Sequence, residues 1–384
     1  MPENKRQHYV PQFYLRNFAG PGGGTLGVFN LKTDRFITPA KLKSQAAKSW
    51  LYGADGEAER HFSSIEGAAA KSIRRILTTG RPPRRWQEDH YRLITFAMLQ
   101  WARTPAAEQL ANKQVDAITK SLLRQQEAPQ EILNNLNLVK ISDGNAMQNA
   151  ITMALLGAPA VYDLAFKLID NTKSEVAPFV TSDHPVSLHN RLFEGSGDLP
   201  VTGTGASGLQ MWLALSPRYG LMFYDRDAYR LGRPDSRIVR VVSPTHVAQL
   251  NALTWWGASE NVYASPNTDP GYLRAAAEAI APLRRETRIW IEEDVLERTE
   301  TTKRVRVAFK VSGSPIRLDL PFLRTVATPP NLAGLEEVPM RQPERIADLM
   351  EWGRLYRKGL IDFDTIQWLC QRVPRQPRRP EAPP

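Results

Sequence analysis

Apolar positions in the first half of the chain recur mostly at helical spacing, in segments bounded by glycine and proline. The spacing predicts a helix over about 57–78, closed by Gly80 and Pro82-Pro83. A second is expected over 87–103 and a third over 105–126, with Pro105 in a first helical turn, where a missing N–H costs nothing. Segments 143–155 and 160–169 keep the helical character on either side of Pro159. Ahead of these, 26–37 alternates around Lys32-Thr33-Asp34 and reads as a hairpin, Val28-Phe29 facing Phe36-Ile37.

The period changes near Pro178. Phe179-Val180-Thr181, 211–215 and 221–224 read as strands, and helical periodicity returns over 245–256 and 272–283. Val305, Val307, Phe309 and Val311 alternate, cross Ser312-Gly313-Ser314 and resume at Ile316, Leu318 and Leu320, a second hairpin signal. Amphipathic helices are expected over 343–356 and 363–370, and the Pro- and Arg-rich 371–384 is expected to be disordered. The class is therefore α+β: a helical N-terminal half packed with a small mixed or antiparallel sheet, then a C-terminal hairpin and helix. Domain 1–265, helix-rich to 177 and strand-containing from 178, is expected to carry an extension over 266–370.

Composition narrows the function classes. At 384 residues the chain is long enough for one large domain or two packed ones, and its 42% apolar content is ordinary for a folded protein. No apolar run approaches the length that spans a bilayer, and residues 1–7 lead into no secretory core, so a cytoplasmic protein is expected. The single cysteine, Cys370, excludes an intramolecular disulfide and a multi-cysteine zinc site. The net charge of +10 permits nucleic acid or another polyanion as partner without demanding it, because solvated basic faces are common.

Candidate chemistry concentrates on the second predicted helix. Leu93, Phe96, Ala97, Gln100 and Arg103 share one face, while Ile94, Met98, Trp101 and Ala102 make the other side apolar as well. Such a helix is buried, so Gln100 and Arg103 need partners: either a structural carboxylate or an anion in a pocket. Glu59 and Glu66 lie two turns apart on the preceding helix, and Glu66 is open to three roles: partner of Arg103, metal ligand or general base. Asp183 stands at a predicted strand end before Pro185, where a polar group serves either chemistry or turn capping. Gly203-Thr204-Gly205-Ala206-Ser207-Gly208 has dinucleotide-loop spacing but runs into a strand rather than a helix, so it reads as a mobile loop. Arg85 and His90 read as a solvated helix end, and His184 with His189 fits no zinc pattern.

One family is similar to the chain in these pieces. His8-Tyr9-Val10-Pro11 with Tyr14-Leu15 and Phe18, then Tyr52, Glu59 and Glu66, Gln100-Trp101-Ala102-Arg103-Thr104-Pro105, Phe179-Val180-Thr181-Ser182-Asp183-His184-Pro185-Val186, Leu215-Ser216-Pro217 and Asn251 resemble, in order over about 5–265, the mostly bacterial "domain of unknown function 4238". The resemblance implies no established activity. It supports one pocket formed by His8, Glu59, Glu66, Gln100, Arg103 and Asp183, with Tyr9 and Asn251 as hydrogen-bonders to a substrate. A metal-assisted phosphoester hydrolase, nuclease-like, is the first expectation. Glu59, Glu66 and Asp183 would hold Mg²⁺ or Mn²⁺, His8 would move the proton, and Arg103 would fork onto a phosphate. The rivals are a non-catalytic binding or regulatory module with a buried polar network and a basic docking surface, and a metal-free sensor of a small ligand.

Overall fold

The computed structural model describes residues 6–52, 57–126, 128–195, 201–284, 289–298, 303–329, 331 and 338–372, without the side chains of 57–61 and of most of 289–298 and 303–309. Of the stretch 371–384 expected to be disordered, Gln371 and Arg372 instead continue the last helix, while 373–384 lies outside the described residues, as does the Glu59 side chain. The first stretch runs β1 (Arg6–His8), α1 (Gln12–Leu15), β2 (Thr25–Asn30), β3 (Arg35–Lys41), β4 (Ala47–Ser49), α2 (Glu57–Thr79), α3 (Glu88–Ala102), α4 (Pro105–Gln125), α5 (Gln130–Asn135) and α6 (Ala146–Gly157). The second runs β5 (Ala165–Asn171), β6 (Thr181–Ser182), β7 (Val186–His189), β8 (Gln210–Ala214), β9 (Tyr219–Tyr224), β10 (Tyr229–Leu231), β11 (Ile238–Val241), α7 (Pro244–Gly257), β12 (Asn261–Ala264) and α8 (Pro270–Ile280). Last come β13 (Ile289–Arg298), β14 (Lys303–Val311), β15 (Leu323–Thr325), α9 (Pro343–Arg357) and α10 (Phe363–Arg372).

Helices and strands mix as α+β, on two principal sheets. One, ordered β11-β5-β9-β8-β7, is antiparallel apart from the parallel β11–β5 pair, and the other, β3-β2-β12-β6, is antiparallel throughout. The predicted hairpin appears in the expected register, Val28 opposite Ile37 and Phe29 opposite Phe36. Strand β6 belongs to one sheet and β7 to the other, so Asp183, His184 and Pro185 form the corner between them. Trp212 closes over Gly220, where an added Cβ would meet the indole at 2.2 Å; the glycine lets the ring lie on the sheet. Among the described residues, no helix is long and apolar enough to cross a membrane.

Several expectations give way to tertiary structure. The helix expected over 160–169 is a short 3-10 turn and β5; Phe166, Leu168 and Ile169 are all buried, so neither face alternates and the run looks helical. The strand expected at Phe179-Val180-Thr181 shrinks to Thr181–Ser182. Strand β14 pairs with β13, not with the segment containing Ile316, Leu318 and Leu320, although those three side chains are buried as their alternation predicts. The loop 203–208 is held rather than free: Arg341 N–H donates to the Gly205 carbonyl and Ser207 N–H to that of Pro339. Arg341, itself 1% exposed at the side chain, forks onto Asp163 at 2.7 and 2.8 Å and donates to the Ala160, Thr204 and Ala206 carbonyls. His90 is no solvated helix end; it is fully buried, stacked on Phe166 at 4.6 Å, with Arg85 donating to the Asp163 carbonyl.

Candidate functional site

The N-terminal block is tied down by its aromatic residues. Tyr14, Leu15 and Phe18 are fully buried, and the Tyr14 hydroxyl bonds Thr181 Oγ1 at 2.8 Å and the Ala214 carbonyl at 2.5 Å. This fixes β1, which pairs with β4, and presents Tyr9 to α3. Gln100 Nε2 donates to the Tyr9 carbonyl at 2.7 Å and Gln100 Oε1 accepts from Arg103 Nε at 3.2 Å. Arg103 Nη1 meets Glu66 Oε1 at 2.5 Å, with side-chain exposures of 1% and 24%. The Tyr52 hydroxyl donates to the Arg103 carbonyl at 3.0 Å, and Tyr52 N–H donates to Gln7 Oε1 at 2.7 Å. The interior polar helix expected from its apolar surroundings is therefore present, and its guanidinium is paired with Glu66. Arg103 Nη2 has no hydrogen-bond partner among the described residues.

His8 sits at the edge of this network without bonding to it. Its Nε2 lies 3.3 Å from the Lys43 carbonyl oxygen and 3.4 Å from Gln12 Nε2. Burial lowers its pKa, the Lys43 carbonyl pulls the other way, and Arg6 and Arg103 lower it further against Glu66. Tyr9 is 8% exposed, and burial, then the charges of Asp183 and Glu260, push its hydroxyl pKa up.

Asp183 and Asn251 are employed elsewhere. Asp183 Oδ1 accepts from Ser259 N–H at 2.7 Å, and Oδ2 from Glu260 and Asn261 N–H at 2.7 and 3.0 Å. The carboxylate caps the approach to β12 and does not hydrogen-bond to Arg103 or Glu66; burial raises its pKa and the three amides oppose the rise. Asn251 Oδ1 accepts from Val180 N–H, while its Nδ2 donates to the Pro178 carbonyl and the Tyr272 hydroxyl, spending the amide on the segment that leads to β6. Among the described residues no three His, Cys, Asp or Glu side chains gather in a metal-holding group. The expected Mg²⁺ or Mn²⁺ set thus does not fit the described side chains: Glu66 faces a guanidinium and Asp183 faces amides.

The open space lies on the other side of the α3 terminus. A cavity of about 770 Å³ is bounded by α4 and α6, with Met98, Trp101 and Ala102 of α3, His184, Val186 and Ser187 of the sheet corner, and the end of α7. Helix α4 faces it with Ala106, Ala107, Leu110, Ala111, Val115 and Ile118, a stripe at helical spacing. Yet of the 21 residues of α4 only Ser121 is buried. Thr104 caps α4, accepting from Ala107 N–H at 3.4 Å, and its Oγ1 lies 2.6 Å from His184 Nδ1. Burial holds the His184 pKa down to about 4, so the ring is neutral near pH 7. In the sequence Thr104 and His184 stand out only as members of the family-like segments, and nothing there singles out Arg284; the cap position of Thr104 before Pro105 is the one further signal.

A model of the family described as "Protein of unknown function (DUF4238)" matches residues 6–268. No curated protein and no solved structure matches the chain. The match takes in β1, the Glu66–Arg103 network, the Asp183 corner, Asn251 and most of the cavity wall, and stops ahead of β13. The chain belongs to this family of unknown function.

Proposed function

We propose that the protein is a non-catalytic binding module for a small ligand with an apolar body, held between α4 and α6. The observation that carries this reading is α4 itself, which turns an apolar stripe to a cavity instead of to a core. Leaving such a stripe in water forgoes roughly 25 cal/mol for each Å² of apolar surface, which a bound apolar group would recover. The cavity has the size and the mostly apolar lining of small-molecule sites. The Glu66–Arg103–Gln100–Tyr9 network borders it, holding the end of α3 from which Trp101 and Ala102 reach the cavity.

The hydrolase reading relied on Glu66 and Asp183 as free carboxylates, and the polyanion partner keeps only the net charge of +10 in its support. The test is titration of the full chain with a neutral environment-sensitive dye such as 1-aminoanthracene, beside the variant Ala150→Trp, which fills the α6 wall of the cavity. Saturable binding weakened at least tenfold in the variant, at unchanged melting temperature, is expected. Equal binding by both proteins, or none by either, contradicts the reading.

A further inference from the structure

The inner wall and the rim of the cavity differ in chemistry. At the rim stand the exposed side chains of Gln109, Lys113 and Asn149. The inner wall is closed by Val186, Ser187 and Ala258, each at most 3% exposed, and beside it stand two half-buried hydrogen-bond donors with spare capacity. Arg284 spends Nη1 on the Trp255 carbonyl at 2.7 Å and Nη2 on the Ser259 carbonyl at 3.2 Å; its other N–H groups have no partner among the described residues. His184 spends Nδ1 on Thr104, and its Nε2 has no partner there either. Thr104 is fully buried and its hydroxyl proton has no other acceptor among the described residues, so we assign that proton to His184 Nδ1, which makes the neutral ring an Nε2–H donor. Gly257 leaves the space beside this edge open: a Cβ there would stand 3.9 Å from His184 Cδ2 and 3.3 Å from Ser187 Oγ.

Resting on the binding reading above, we infer that the ligand is an apolar monocarboxylic acid, its head held by His184 and Arg284 and its tail laid along α4 and α6. A neutral N–H and a guanidinium both donate, and a carboxylate accepts from both. Asp183 offsets the cation: its charge acts on Arg284 while its own oxygens are turned to backbone amides. A single guanidinium, partly offset by Asp183, suits a head of one negative charge better than a phosphate of two, and it repels an ammonium.

The experiment displaces the neutral dye from the full chain at pH 7 with octanoate, 1-octanol, octylamine and octyl phosphate. Octanoate is expected to compete at least tenfold better than 1-octanol, and better than octyl phosphate, with octylamine the weakest. His184→Leu and Arg284→Met should each reduce the acid-to-alcohol ratio severalfold while 1-octanol competes as before. Because Arg284 also ties two carbonyls, the selectivity of the unmutated chain decides if that variant fails to fold. Equal competition by acid and alcohol, or preference for the phosphate or the amine, overturns the carboxylate head and leaves the apolar cavity standing. Failure of the dye and of every competitor overturns both.

Discussion

The Glu66–Arg103 network and the α4–α6 cavity adjoin through the same four residues, 101–104, and they invert each other. In the network nearly every polar atom is answered: Arg103 by Glu66 and Gln100, Gln100 by Tyr9, and Tyr52 by Gln7 and the Arg103 carbonyl. In the cavity the chemistry is sparse and space is plentiful. Residues that look catalytic in a sequence are often costly to bury, and a fold that buries them must spend their hydrogen bonds on itself. The difference teaches that a polar constellation marks where the chain is most constrained, while the place left for a ligand is marked by apolar residues with too little to pack against.

The largest effect expected from breaking this contrast is at Arg103. Arg103→Met leaves Glu66 partly buried without its cation and Gln100 Oε1 without its donor, and should cost about 3–5 kcal/mol in urea unfolding. Whatever fraction stays folded should still bind the neutral dye; a stable variant that has lost the dye would make Arg103 part of the binding site. On the cavity side the sharper probe is pH. His184 protonates near 6.5 when unfolded and only near 4 when folded, so the unfolded chain binds the extra proton between these values. Stability is therefore lost as pH falls through that window, by roughly 3 kcal/mol, and the loss levels off below it. His184→Gln should remove this part of the slope, while His90, whose pKa burial also lowers, keeps its own share. An unchanged slope would mean that the ring is already solvated. The smallest effect is at Tyr52→Phe, which deletes the 3.0 Å bond to the Arg103 carbonyl and should cost about 1 kcal/mol with dye binding intact.

What the sequence made legible follows the same division. Helices α2, α3 and α4 announce themselves by period and by their proline and glycine ends, α7 by its bounds at Pro244 and Gly257, and the β2–β3 register by alternation about a polar turn. The Arg103–Glu66 pairing was within reach because an apolar helix cannot leave a guanidinium unpartnered. Strand β5 was hidden because a strand buried on both faces does not alternate. The cap made by Asp183 was open as one of two readings, but its donors, Ser259, Glu260 and Asn261, lie more than seventy residues away. The cavity was invisible for a different reason: nothing in the spacing of Ala107, Leu110 and Val115 tells a packed helix face from one that borders empty space.

The central claim, that the working site is the cavity and not the network, meets its most direct test in the methionine methyl groups. Met98 and Met153 line the cavity, whereas Met211 and Met222 lie buried in the five-stranded sheet. With the methyls carbon-13 labelled, titration with octanoate should shift the Met98 and Met153 resonances saturably and leave those of Met211 and Met222 in place. Saturable binding that moves neither Met98 nor Met153 would contradict the account.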